Sequence, residues 1–203
     1  DIDVEKCEAT NPTDRDAIIK LVKQSNAGLL QVNDVIMRPL KAFYRSVAVD
    51  AANAALSSSF TTTNEEEPYN VFSACAALLQ ALGEPGAAIE WQSRATDVAR
   101  QNPNLRAKGE LSTALNNLGT LHLEAENPKL ALELFQQAQT AMVSASTPDE
   151  DAACLYPNNR ALALAALGDV AAALHETETA VTAAERLIPT SSKFATVLNN
   201  HAL

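Results

Sequence analysis

Glycine and aromatic side chains are scarce in this sequence, with six Gly, five Phe, three Tyr and one Trp among 203 residues. So few glycines argue against a turn-rich all-β fold, and so few aromatics suit helix-on-helix contact better than a sandwich or a barrel. Positive charge is scarce as well. Lys and Arg number 15 against 25 Asp and Glu, a formal net charge of −10. That balance disfavours nucleic acid and anionic membrane surfaces, because both draw their affinity from clustered cations. Cysteines are few and far apart. Cys7, Cys75 and Cys154 include no pair at metal-ligand or redox spacing. Cys75 and Cys154 sit in apolar helical stretches, so buried, inert thiols are expected, as suits a reducing, cytoplasmic setting. No apolar run reaches the length of a membrane span, and no signal peptide opens the chain. The chain starts at Asp1 without Met and stops inside an apparent helix, so it reads as a piece of a longer protein.

Catalytic signals are missing too. His122, His175 and His201 have no second ligand type at metal spacing, and His122 and His201 fall on interior helix positions, where packing is the expected role. Gly83-Glu84-Pro85-Gly86 reads as a turn between helices and not as a phosphate loop. No serine stands in a nucleophile elbow. Carboxylate pairs such as Glu124 with Glu126 read as solvated helix ends. The expectation is no enzyme, no metal site and no cofactor.

What is abundant is alanine, which dominates an apolar fraction of 47%, and it recurs in phase. The segment Leu115-Asn116-Asn117-Leu118-Gly119-Thr120-Leu121-His122 is followed by Ala131, Phe135 and Ala138. Upstream, Phe72, Cys75, Ala76 and Leu79 precede Ala88 and Ala95. Downstream, Pro157, Arg160, Ala161 and Leu164 precede Ala173 and Ala180. Ala88 to Ala131 is 43 residues and Ala131 to Ala173 is 42; Ala95, Ala138 and Ala180 keep the same spacing. Small residues at fixed phase let two helices cross closely, and each hairpin leaves an apolar face that its neighbour covers. These positions resemble the tetratricopeptide pattern of a large residue, then Leu-Gly, then Ala and an aromatic on a second helix. The resemblance implies an all-α fold, a right-handed α-solenoid of antiparallel helix pairs with no sheet.

The units exceed the usual ~34 residues by about eight, and the extra length follows each second helix, where Pro103, Pro148 and Pro189 fall. Long units with Leu-Asn-Asn on the first helix look like the kinesin light chain type. Pro157 and Arg160 depart from the pattern, and Pro157 predicts a first helix that starts late or is kinked. The expected organisation is a polar tail over 1–12, a helix pair over 13–58, a linker over 59–68 and the array over 69–203. Units start near 69, 112, 154 and 195, and the last is truncated. Within 13–58, Thr13 is a helix cap and a second helix runs from about Pro39 to Ser58 with Leu40, Phe43, Tyr44, Val47, Ala51, Ala54 and Ala55 on its apolar face. That pair is a divergent repeat or a cap.

One polar constellation keeps the same phase: Asn116-Asn117, Asn158-Asn159 and Asn199-Asn200, spaced 42 and 41 residues apart. Neighbours on a helix differ by about 100° in direction, so one member of each pair faces the groove of first helices and the other a neighbouring helix. An amide can serve both the C=O and the N–H of an extended peptide. The kinesin light chain resemblance implies such a clamp, with Asn116, Asn158 and Asn199 as groove residues. Ser73 takes that place in the first unit, and Asn70, Thr113, Thr120 and Leu162 share the face. With Arg160 the one cation there, the Lys and Arg clamp of chaperone-binding relatives is missing. The expected function is a non-catalytic module binding a protein or peptide partner, with no nucleic acid and no membrane insertion. The alternative is a structural scaffold that self-associates through helix faces, with the asparagines internal.

Overall fold

The computed structural model describes residues 20, 28–58, 66–146 and 154–186. The polar tail, the cap at Thr13, the linker over 59–65, the connector around Pro148 and the unit near 195, with Asn199 and His201, lie outside the described residues. The chain divides into two compact units, Asp1–Val49 and Asp50–Leu203. Among the described residues there are eight helices and no strand.

Helix α1 spans Gly28–Ser58 and carries Pro39 inside it. Proline favours the first helical turn because its missing N–H is unneeded there, which is why Pro39 reads as a start signal. The helix instead begins eleven residues earlier. Its faces also differ from expectation. Ala48, Ala52 and Ala55 are buried, while Phe43 and Tyr44 are 62% and 46% exposed and touch edge to face.

The second unit continues with α2 (Glu67–Ala81), α3 (Pro85–Gln101), α4 (Pro103–Ala107), α5 (Glu110–Glu124), α6 (Pro128–Val143), α7 (Leu155–Ala166) and α8 (Val170–Arg186). Three hairpins form: α2 with α3, α5 with α6, and α7 with α8. They stack through α3 on α5 and α6 on α7. The result is the tetratricopeptide-like helical array that the alanine phase predicts. Ala88, Ala95, Ala131, Ala138 and Ala180 are fully buried at the crossings. Leu115, Leu118, Leu134, Ala138 and Tyr156 form one apolar cluster across the second and third hairpins.

The hairpin turns share one device. Gly83, Glu126 and Gly168 stand at equivalent positions and all have positive φ, 81°, 58° and 83°. The next N–H in each case returns to a carbonyl five residues back, Glu84 to Leu79, Asn127 to His122 and Asp169 to Leu164, closing the end of the first helix. The second helices then open with Pro85 and Pro128. α7 opens at Leu155, with Pro157 in its first turn. The extra length of the first unit is the short helix α4. Its start is capped by Asn102 Oδ1, which accepts from the Asn104 and Leu105 amides at 2.8 and 3.3 Å.

Candidate functional site

Burial along the first helices keeps the repeat phase. In α5, Ser112, Ala114, Leu115, Leu118, Gly119 and Leu121 are buried, and the residues 42 positions on, Cys154 just before α7 and Tyr156, Pro157, Arg160, Ala161 and Ala163 within it, are buried too. The face left open on α2 and α5 carries Asn70, Ala74 and Ala77, then Thr113, Asn117 and Glu124, with Ser73 and Thr120 half-buried. On α7 it carries Leu162, 37% exposed.

Of the asparagine pairs, the second member is the more open. Asn117 is exposed and its amide has no hydrogen-bond partner among the described residues, whereas Asn116 is half-buried. Asn158 is only 4% exposed and donates to Asn159 Oδ1 at 3.2 Å. Asn159 in turn donates to Asn116 Oδ1 at 2.8 Å, joining α7 to α5. The first members, expected on the groove, are rotated about 100° towards the neighbouring helices, and their amides join an internal chain.

A cleft of about 260 Å³ opens between α2, α3 and α5, lined by Ser73, Ala76, Ala77, Gln80, Gln92, Asn117, Thr120 and Leu121. Two of the residues expected at the site, Ser73 and Thr120, line it, and Asn70, Thr113, Asn158 and Leu162 do not. The cleft exists because the second unit's Phe135 is replaced here. Gln92 stands 43 residues before Phe135, and its side chain lines the cleft while its Nε2 donates to the Ala114 carbonyl at 3.2 Å. In the second unit the Phe135 ring fills the equivalent space and presses on Gly119. Sequence reading missed Gln92, although a polar residue at the aromatic position of a repeat is a visible departure. A larger hollow of about 550 Å³, lined by residues that include Arg100, Glu133, Gln136 and Thr140, lies on the other side of α5 and is wide open to solvent.

The ends of the first helices are tied across repeats. Tyr69 donates to a Glu110 carboxylate oxygen at 2.8 Å, and Tyr156 to Ser112 Oγ at 3.0 Å. Burial, and then the Glu110 carboxylate, push the Tyr69 phenol well above its ordinary range. Ser73 lies beside that phenol and offsets a little of the rise, yet its Oγ is buried with no hydrogen bond of normal geometry. Burial raises the Cys75 thiol and lowers the His122 imidazole.

Arg160 is not a groove cation. It is 8% exposed and holds both carboxylate oxygens of Glu176 on α8, at 3.1 and 2.6 Å, and Gln139 on α6. Among the described residues no cluster of three His, Cys, Asp or Glu could hold a metal ion, and no helix is long and apolar enough to cross a membrane.

The tetratricopeptide repeat family model matches residues 70–142, the stretch from the first turn of α2 almost to the end of α6. With that match and the paired helices, residues 70–142 carry tetratricopeptide repeats. No curated protein matches the chain. Arrays of this superfamily are protein–protein interaction modules.

Proposed function

We propose that this array binds an extended segment of a protein partner along the face built by α2, α5 and α7, in an adaptor role and without catalysis. The observation that carries the reading is the cleft between α2 and α5. It interrupts an otherwise packed stack, and Asn117, whose amide no side chain engages, lines it together with Ser73, Ala77 and Thr120. Asn117 suits a backbone contact because a primary amide donates and accepts at once. Asn70, Thr113 and Leu162 extend the face to either side. The resemblance of the long units to the kinesin light chain type points the same way. The test is a fluorescence-polarisation screen of capped heptapeptides on the 203-residue chain, repeated with Asn117→Ala. Binding weakened at least fivefold by that substitution supports the groove; binding unaffected by it removes the groove.

A second reading, a scaffold with internal asparagines, draws on the Asn158–Asn159–Asn116 chain, which commits three of the four described amides to the stack. Light scattering separates it: a stable oligomer whose interface covers the first-helix face favours the scaffold.

A further inference from the structure

The hydrogen atoms of the cleft decide what it can receive. Thr120 Oγ1 lies 3.1 Å from the Asn116 carbonyl oxygen, which can only accept, so the hydroxyl proton is committed there. Gln92 Nε2 is committed to the Ala114 carbonyl at 3.2 Å, and Gln80 Nε2 to the Glu124 carboxylate at 2.7 Å. Both partners again only accept, which fixes which end of each amide points where. The lining is left with spare oxygen lone pairs on Thr120, Gln92 and Gln80, beside one unused N–H on each glutamine and the Asn117 amide. Ser73 Oγ, buried beside the Tyr69 phenol without a hydrogen bond of normal geometry, adds a further oxygen.

Charge points the same way. Glu124 is exposed and, through Gln80, belongs to the cleft's edge; no cation pairs with it among the described residues. α2 and α5 contain no Lys or Arg, and the Arg160 of α7 is held by Glu176. A carboxylate or phosphate would meet the charge of Glu124 with only uncharged amide donors to offset it. A guanidinium or ammonium would meet acceptors, with Ala76, Ala77 and Leu121 to cover its aliphatic stem.

We infer that the cleft between α2 and α5 is a pocket for one basic side chain, arginine above lysine, of an extended peptide. Arginine is preferred because its five donors spread over a fan match acceptors on three helices, where an ammonium offers three donors from one point. The inference deepens the groove reading and rests on it: it names the partner's chemistry as a short basic segment, which a chain of net charge −10 also attracts.

The probe is N-acetyl-arginine N-methylamide, compared with its citrulline analogue, which keeps the shape and loses the charge. Both are titrated into the 203-residue chain while the side-chain amide NMR signals of Gln80, Gln92 and Asn117 are followed. The arginine compound is expected to shift those signals and the citrulline compound to bind at least fivefold more weakly. Glu124→Gln should abolish that difference, and Ala77→Leu, which fills the cleft from an exposed position, should abolish binding. Equal binding of the two compounds, or amide signals that do not move, overturns the inference. Heptapeptides that bind in an Asn117-dependent way but show no preference for arginine overturn this pocket and leave the groove standing. Shifts from the arginine compound without any heptapeptide binding support the pocket and remove the groove.

Discussion

Arg160 and Glu176 form a two-pronged ion pair at the positions that Leu118 and Leu134 occupy one repeat earlier. The second hairpin closes through apolar contact and the third through charge, on the same backbone scaffold. Arg160 is nearly buried and the Glu176 side chain is 21% exposed, so the pair's net worth is small and the guanidinium left alone is the costly remainder. Glu176→Ala is therefore expected to cost about 2 kcal/mol, as for a lost charged hydrogen bond, while the double replacement of Arg160 and Glu176 by Leu should fall within about 1 kcal/mol of the parent or exceed it. Urea unfolding measures both; a double replacement as damaging as the single one contradicts the argument.

Gly119 lets the second unit close. A Cβ built there would stand 2.6 and 2.8 Å from two carbons of the fully buried Phe135 ring. Alanine gains about 1 kcal/mol in helix propensity but overpacks by up to about 3. Gly119→Ala should lose about 1–2 kcal/mol net in thermal unfolding. Phe135→Leu placed beside it should recover part of that loss, and no recovery would mean that the clash is not with the ring.

Glu126 is the non-glycine member of the turn series. Its φ of 58° carries a Cβ penalty that Gly83 and Gly168 avoid. Glu126→Gly should stabilise by about 0.5–1 kcal/mol after the unfolded chain's extra freedom is deducted, raising Tm by a few degrees. An unchanged or lower Tm would show that the Glu side chain contributes something the turn needs.

Tyr69 predicts an alkaline sensitivity. Its phenol is held protonated in the fold, above the ordinary value near 10. Above that pH the unfolded chain releases the proton and the folded chain does not, so the unfolded state binds fewer protons and stability falls as pH rises. Below pH 10 the contribution is complete. Tyr69→Phe should flatten the decline between about pH 10 and 11 in urea midpoints. An equally steep decline in the variant would assign it elsewhere.

The repeat architecture was legible because packing writes it in small residues. Ala88, Ala131 and Ala173 mark the crossings, where a larger side chain would push two helices apart. Orientation within the asparagine pairs was less legible. It depends on a rotation of one residue, and the neighbouring repeat's phase decides it. Arg160 stood out as a departure, but its partner did not. The signal was available in Glu176, which breaks the pattern at the position that faces Arg160, since two departures at touching positions compensate each other. Pro39 misled because proline's preference for a helix start is statistical, and α1 carries it in its interior.

Gln92 opposite Ala76 leaves an opening; Phe135 opposite Gly119 leaves none. These two couples stand at equivalent positions, 43 residues apart. The alanines at the crossings, which hold neighbouring hairpins together, belong to neither. One junction is thus vented and the next sealed by the two side chains that stand there, while the backbone around them repeats unchanged.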